Sequence, residues 1–235
     1  MVDDIPQRLC LGIDLGTTSV KTYLINSQTN HVIHLVSKPS HAEVESHIGV
    51  KGSEQNPHLI LKTLKDCLET IPQEKQMLVD TLCVTGQMHG VMLWSRQSMK
   101  NDFSHQFDKI NGNDSKVKTS NLYTWQDQRC SGEFLSSLPK PDSHLAIATG
   151  HGCATLLWLH RHQPEMLTGA FDCSGTLMDY LVAGLCGLDK PVTSVQLAAS
   201  WGYFNTRERS WNYSQWVYTY KSGVKYPFLV KTYIQ

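Results

Sequence analysis

Three short segments of the sequence carry residue types that suit the binding of phosphate groups and polyols. The first is the segment DLGTTSVK at residues 14–21, in which a tight turn joins two apolar, β-prone runs. Such a hairpin offers backbone N–H groups and hydroxyls to phosphate oxygens, and the carboxylate of Asp14 can hold a hydrated cation. An ordinary β-turn is the alternative interpretation, because Gly, Thr and Ser are common turn residues.

The second segment is GQMHG at residues 86–90, which follows a run of apolar residues. Two glycines bracket an amide and an imidazole, and both groups form hydrogen bonds with the hydroxyls of a polyol. On its own, His89 is more often a structural histidine than a ligand-binding residue.

The third segment is YTWQDQR at residues 123–129, where aromatic, acidic and basic side chains alternate. Carbohydrate sites combine an apolar plate for the C–H face of the sugar with charged groups that bind its hydroxyls. The alternative is a buried Trp beside an ion pair of Asp127 and Arg129 that caps a helix starting near Cys130.

The hydrophobic pattern predicts the elements that must position these segments. Alternating apolar runs near the start predict an antiparallel meander, and Asn56 followed by Pro57 predicts a helix start. A polar, aperiodic stretch at 95–120 predicts a long surface excursion. The predicted strands are 9–14, 19–25, 31–37, 79–85, 91–94 and 199–205, and the predicted helices follow Asn56 and cover 130–138, 155–162 and 177–185.

Composition excludes several classes of protein. Lys plus Arg and Asp plus Glu number 21 each, so no net positive field favours nucleic acid or acidic membranes. No segment approaches eighteen apolar residues, and the N-terminus lacks the pattern of a signal peptide, so we expect neither membrane insertion nor secretion. The seven cysteines show no metal-binding spacing, which predicts reduced thiols in a cytoplasmic protein. No pattern indicates an oligomeric state.

The three segments together resemble the FGGY family of carbohydrate kinases. D-x-G-T-T-S followed by Lys is similar to the first phosphate loop of the actin-like ATPases, and especially of sugar kinases. Q-M-H-G resembles the sugar site of xylulokinase-like members, and W-x-D-x-R resembles the FGGY sugar-binding segment. The resemblance implies an α/β fold of the ribonuclease-H-like, actin/hexokinase type, with a mixed sheet and flanking helices.

The same resemblance implies ligands and residue roles. The expected cofactors are ATP and Mg²⁺, the expected partners are a small-molecule sugar and a nucleotide, and Asp14 is the expected catalytic residue, holding the metal through water. The implied phosphate-binding residues are Gly16, Thr17, Thr18, Ser19 and Lys21. The implied sugar-binding residues are Gln87, Met88, His89, Trp125, Asp127 and Arg129.

The likeness extends from residue 9 to 213 and is closest to members that phosphorylate a seven-carbon ketose. It is carried by segments such as GCAT at 152–155 and ASWGYFN at 199–205. Three positions depart from the family pattern: Thr155 replaces a frequent lysine, and Val195 and Leu197 replace residues that are usually polar.

The expected organisation is an N-terminal sugar kinase domain at 1–213 and a divergent tail at 214–235. The C-terminal kinase domain, with the general base, a second phosphate loop and the adenine pocket, is expected to be absent, so we expect no turnover by this chain alone. A non-catalytic sugar-binding product is one alternative. Half of an actin-like or chaperone ATPase is another, but such a protein has no use for the segments at 86–90 and 123–129.

Overall fold

The computed structural model describes residues 8–105, 119–168, 171–212 and 231–232. The strands are β1 (Leu9–Leu15), β2 (Ser19–Asn26), β3 (His31–Pro39), β4 (Glu43–Val44), β5 (Glu54–Gln55), β6 (Val79–Gly86), β7 (Met92–Trp94), β8 (Leu122–Tyr123), β9 (Cys173–Gly175), β10 (Val192–Thr193), β11 (Phe204–Asn205), β12 (Ser210–Trp211) and β13 (Lys231–Thr232). The helices are α1 (Pro57–Leu68), α2 (Gln73–Gln76), α3 (Arg96–His105), α4 (Gly132–Ser136), α5 (Gly152–His162), α6 (Glu165–Thr168), α7 (Leu177–Leu185) and α8 (Val195–Ser200). None of the helices in these ranges has the length and apolar character needed to cross a membrane.

The main sheet brings the first two predicted segments to one edge. Within the described ranges it contains four strands in the order β3-β2-β1-β6. The first three strands form the predicted antiparallel meander, and β6 runs parallel to β1. Because Leu15 pairs with Gly86 at the ends of β1 and β6, the hairpin at 14–21 and the segment at 86–90 emerge side by side.

The alternation of β1 explains how the sheet packs. Every second residue of β1 is buried, and these residues join the apolar side of α1 in one core. The helix starts as predicted, with the Asn56 side chain accepting a hydrogen bond from the backbone N–H of His58 at 2.9 Å and Pro57 at the first helical position.

A second core joins the elements that follow the sheet. Strand β7 contributes to both cores, since Met92 and Trp94 pack in the first while Leu93 packs in the second. The second core also holds the apolar residues of α5 and the aromatic residues Trp201 and Phe204. Alternate side chains of one short strand thus tie the sheet to the helical part of the chain.

The structure adds to one sequence prediction and corrects another. Helix α3 occupies the start of the stretch predicted as a long surface excursion, because Met99 is buried and Phe103 packs edge-on against Tyr180 of α7 with ring centroids 5.7 Å apart. These contacts stabilise a helix whose own sequence has no clear period. Residues 106–118 of that stretch lie outside the described residues.

The predicted strand at 199–205 is instead the end of α8, a turn and the short strand β11. Ser194 caps α8 by accepting a hydrogen bond from the Leu197 N–H at 3.1 Å. Gly202 and Tyr203 then adopt positive φ angles of 79° and 51°, which an extended strand cannot contain.

Asp179 is a buried carboxylate in the first turn of α7. Its Oδ2 accepts hydrogen bonds from the backbone N–H of Thr176 at 2.8 Å and from the Thr176 hydroxyl at 2.9 Å, which completes a capping box. Burial raises the pKa of Asp179 to about 6, because the hydrogen bonds that favour the charged form only partly offset the loss of hydration.

This raised pKa predicts the sign of a pH effect on stability. The folded state binds the Asp179 proton more tightly than the unfolded state, so the contribution of Asp179 to the free energy of unfolding falls as pH rises from about 4 to about 6. We expect Asp179→Asn, which cannot titrate, to gain about 2–3 kcal/mol relative to the wild type between pH 4 and pH 7. Urea unfolding of both proteins at pH 4, 5.5 and 7 tests this, and a difference that does not change with pH would contradict it.

Candidate functional site

The hairpin between β1 and β2 is a tight turn with free backbone donors. The Gly16 N–H donates to the Ser19 carbonyl at 3.0 Å, and a Cβ at Gly16 would lie 2.8 Å from that oxygen, so only glycine fits. The N–H groups of Thr17 and Thr18 make no hydrogen bond with another described residue. Asp14 lies at the base of the turn, where its Oδ2 accepts from Lys21 Nζ at 3.4 Å.

This arrangement fits the phosphates and cation that the sequence predicts. Free N–H groups at a tight turn attract phosphate oxygens, and Lys21 adds a positive charge. A single half-buried carboxylate at Asp14 suits Mg²⁺, which keeps several waters and uses few protein ligands when phosphates complete its shell. Among the described residues, no group of three or more His, Cys, Asp or Glu side chains could hold a metal without such help.

Thr17 joins the hairpin to the other two segments. Its carbonyl accepts from Gln55 Nε2 at 2.6 Å, and its hydroxyl accepts from Trp125 Nε1 at 3.0 Å. Gln55 Oε1 in turn accepts from Gln87 Nε2 at 2.9 Å. Three of the predicted site residues, Thr17, Gln87 and Trp125, are therefore brought together, and Gln55 completes the chain of hydrogen bonds.

Gln87 keeps one polar atom without a partner. The residue is buried, yet its Oε1 makes no hydrogen bond with any described residue. The Thr17 carbonyl can only accept, so the amide nitrogen of Gln55 must face it and the amide oxygen of Gln55 must face Gln87. Gln87 therefore donates with its nitrogen, which leaves its oxygen Oε1 without a donor. A buried carbonyl oxygen without a donor costs about 1–3 kcal/mol, so this atom favours a ligand that brings a hydroxyl.

His89 lies at the centre of a strained turn. Its φ angle is 71°, in the left-handed region, and the Gly90 N–H donates across it to the Met88 carbonyl at 2.9 Å. Non-glycine residues rarely adopt such γ-turn geometry, and strain of this kind is concentrated at functional sites. His89 Nδ1 donates to the Ser200 carbonyl at 2.7 Å, while Met88 is half-buried.

Trp125 presents an indole face to solvent. The residue is 49% exposed, which is unusual for so large an apolar side chain. Its backbone is fixed from behind by Gly150, which has a φ of 75° and where a Cβ would come within 2.1 Å of the Trp125 carbonyl. We call Gln87, His89 and Trp125 the platform, since an amide, an imidazole and an apolar plate are held next to the hairpin.

Asp127 and Arg129 form a sealed ion network beneath the platform. Arg129 Nε donates to Asp127 Oδ1 at 2.8 Å, and Arg129 Nη2 donates to Asp127 Oδ2 at 2.9 Å and to Glu54 Oε1 at 2.8 Å. The side chains of Asp127 and Arg129 are both 0% exposed. Their predicted contact with a sugar stays a prediction: both side chains are closed off from solvent, and among their side-chain polar atoms Arg129 Nη1 has no partner in the described residues.

The alternative interpretation of the third segment, an ion pair, is correct for these two residues but not for the cap. Helix α4 is capped by Ser131, whose hydroxyl accepts from the Phe134 N–H at 3.1 Å. Asp127 instead accepts from the Ser53 N–H at 2.9 Å, which ties the third segment to β5.

The electrostatics of the network follow from its geometry. Burial alone would lower the pKa of Arg129, but its bonds to Asp127 and Glu54 outweigh burial and raise it above the ordinary value. Burial likewise favours neutral Glu54, but hydrogen bonds from Ser46, Asn121 and Arg129 hold its pKa below the ordinary value. The charges of Arg129 and Glu54 are thus retained inside the protein.

Several residues of the site were missed by sequence reasoning. Glu54 and Gln55 lie in a two-residue strand that no pattern distinguishes, and their partners are up to 75 residues away in the chain. The sequence patterns also assign no role to His151. The structure stacks its ring on that of His89 at a centroid distance of 4.7 Å, and a histidine in a glycine-rich loop was its only signal.

Comparison with known proteins defines the family. Residues 9–224 match the N-terminal domain model of the FGGY family of carbohydrate kinases, and the chain therefore belongs to that family. The chain is 44% identical to the sedoheptulokinase of Mus musculus over 212 residues, which cover 86% of this chain and 43% of the relative. It is also 44% identical to the Homo sapiens sedoheptulokinase over 216 residues, which cover 87% and 44%.

The fold agrees with the same family. The crystal structure of xylulose kinase from Rhodospirillum rubrum matches 89% of this chain and 41% of its own with a TM-score of 0.67 at 18% identity. The chain therefore has the predicted actin/hexokinase-type α/β fold with a mixed sheet. It spans less than half the length of the sedoheptulokinases that it matches.

The sealed network predicts a large loss of stability when its cation is removed. Arg129→Met leaves the carboxylates of Asp127 and Glu54 buried without their counter-charge, and we expect a cost of about 3–5 kcal/mol in the free energy of unfolding. Arg129→Lys keeps a charge but cannot form the paired bonds, so it should fall between Met and the wild type.

Urea denaturation measures these changes. The matched control is Lys62→Ala, because Lys62 pairs with Asp66 at 2.9 Å on the exposed side of α1. That substitution should cost about 0–1 kcal/mol. Equal costs for Arg129→Met and Lys62→Ala would show that the network does not stabilise the fold.

Proposed function

We propose that these residues form the sugar-binding part of an ATP-dependent kinase that converts sedoheptulose to sedoheptulose 7-phosphate. The observation that carries the proposal is the double contact of Thr17, which joins the phosphate hairpin to Trp125 and Gln55. A kinase must hold its acceptor hydroxyl beside the γ-phosphate, and a shared residue fixes that distance. The 44% identity to sedoheptulokinases supports this sugar.

The platform supplies the contacts to the sugar. Trp125 covers an apolar C–H face, Gln87 Oε1 accepts a hydroxyl proton, and His89 adds an imidazole on a rigid turn. Asp127 and Arg129 act as positioning residues in this proposal, because they fix the backbone on which Trp125 lies. Met88 lines the site between the two polar groups of its segment.

The hairpin supplies the contacts to the nucleotide. Gly16 permits the tight turn, and Thr17, Thr18 and Ser19 offer N–H and hydroxyl groups to phosphate oxygens, with Lys21 adding charge. Asp14 holds the hydrated Mg²⁺. When bound, Mg·ATP would supply the phosphoryl group, and its Mg²⁺ would offset the negative charge of the phosphate oxygens.

Domain organisation and location are part of the proposal. We assign 1–213 to the N-terminal sugar kinase domain, and we assign neither the general base nor the second phosphate loop to a described residue. The tail at 214–235 lies outside the described residues except for β13. The cysteines within the described ranges are all free thiols, which supports a reducing, cytoplasmic environment.

Substitution of Trp125 tests the platform. We expect Trp125→Ala to weaken sedoheptulose binding roughly ten- to a hundredfold, or about 1.4–2.8 kcal/mol, because the sugar loses its apolar plate. Trp125→Phe keeps a plate but loses the bond to Thr17, so its loss should be smaller, at about 0.5–1.5 kcal/mol.

Titration calorimetry with sedoheptulose and with xylulose measures both effects. Tighter binding of xylulose by the wild type would favour a xylulose kinase over a sedoheptulokinase. Undiminished sedoheptulose affinity in Trp125→Ala would contradict the role of the platform.

Product analysis tests how much of the reaction this chain performs. We expect the 235-residue chain to bind sedoheptulose but to form no sugar phosphate with Mg·ATP, because the described residues offer the nucleotide one phosphate hairpin and none of them is assigned as the general base. Mass spectrometry of the sugar phosphate gives the result. Turnover of about 1–100 per second, ordinary for kinases, would show that the residues present complete the active site.

A further inference from the structure

The strongest unassigned feature of the site is the stacked pair of His89 and His151. Their rings lie 4.7 Å apart at the centroids with an angle of 8° between their planes. His151 is half-buried at the start of α5, in a loop that also contacts the third segment through the Thr149 hydroxyl, which donates to the Asp127 carbonyl at 2.8 Å. The pair therefore lies between two parts of the site.

The hydrogen bonds of the two rings fix opposite tautomers. His89 Nδ1 faces the Ser200 carbonyl at 2.7 Å, which can only accept, so Nδ1 carries the proton and neutral His89 has an accepting Nε2. His151 Nδ1 accepts from the Ala148 N–H at 3.3 Å, so its Nδ1 is bare and its Nε2 carries the proton. One ring thus offers an acceptor, and the other a donor.

The surroundings keep His151 in this neutral form. Burial and the neighbouring His89 lower the pKa of His151 to about 4, and a proton on Nδ1 would face the Ala148 N–H. Neither Nε2 atom forms a hydrogen bond with another residue of the described ranges. The stacked rings therefore keep one donor and one acceptor for a ligand.

The His151 ring supplies the hydrogen-bond donor that the platform lacks. Gln87 Oε1 and His89 Nε2 both accept, whereas a sugar hydroxyl donates one hydrogen bond and also accepts. We infer that His151 is a specificity-determining residue that donates from Nε2 to one sugar hydroxyl while His89 accepts from the same or the adjacent hydroxyl. The ligand class is a polyol with vicinal hydroxyls, and the inference rests on the proposed sugar-binding function.

Two substitutions distinguish the effect of the His151 Nε2 donor from the effect of packing by the His151 ring. The amide of His151→Asn reaches the position of Nδ1, so it keeps the contact to Ala148 and loses the donor at Nε2. The amide of His151→Gln extends to the position of Nε2 and keeps the donor. The two variants are polar and differ by one methylene group, so each is the control for the other.

The measurement is calorimetric affinity for sedoheptulose and for its monodeoxy analogues, each lacking one hydroxyl. For the wild type and His151→Gln we expect one analogue to bind about ten- to a hundredfold more weakly than the parent sugar, since one hydrogen bond to a neutral group is lost. For His151→Asn this discrimination should disappear, and its affinity for the parent sugar should fall by the same factor. A purely structural role would weaken all sugars equally.

The outcomes distinguish this inference from the proposed function. No sugar binding by the wild type would overturn both. Sugar binding that depends on Trp125 but discriminates equally in His151→Asn and His151→Gln would overturn the role of His151 alone. Circular dichroism of each variant at the assay temperature establishes that it is folded, so that an unfolded variant is not counted as a result.

Discussion

The site depends on one buried guanidinium. Arg129 is sealed between Asp127 and Glu54 and lies 4.2 Å from the centroid of the Tyr123 ring. A charge without solvent must be paired, so the segment at 123–129 is held against β5 in a single arrangement. Trp125 lies in the middle of that segment and is turned outward as a consequence. The ion network thus explains why Asp127 and Arg129 are buried and why Trp125, in the same segment, is exposed.

Thr17 shows how two binding functions share one backbone. The same residue lies in the phosphate hairpin and accepts hydrogen bonds from both Gln55 and Trp125. In the proposed kinase, a shift of Trp125 under a bound sugar would therefore reach the hairpin directly. The hairpin also lies beside the segment at 86–90, because β1 and β6 end together at this edge of the sheet. Parallel pairing of these two strands is the topological reason that the two segments meet.

The platform contains two features that cost free energy in the folded protein. His89 holds a left-handed backbone, and Gln87 keeps a buried acceptor without a donor. Each feature costs free energy that the surrounding packing must offset, and a hydroxyl that donates to Gln87 Oε1 would remove the second cost. His151 has a similar feature. Its unprotonated Nδ1 accepts a hydrogen bond from the Ala148 backbone N–H, whereas its Nε2 proton has no partner among the described residues.

The sequence by itself determined the elements whose signals are local. The alternation of 9–15, the Asn56–Pro57 helix start and the apolar run of α7 each follow from backbone hydrogen bonds and side-chain spacing within a few residues. The resemblance of the three segments to known sequences also predicted the family, which the comparison confirms. Only the tertiary structure decided which polar groups are buried and which face outward. Glu54 and Arg129 are 75 residues apart in the chain, and α3 is helical because it packs on α7, so no local pattern contains either fact. Burial and charge pairing depend on distant segments that meet only when the chain is folded, and for that reason the roles of Asp127, Arg129 and His151 required the fold.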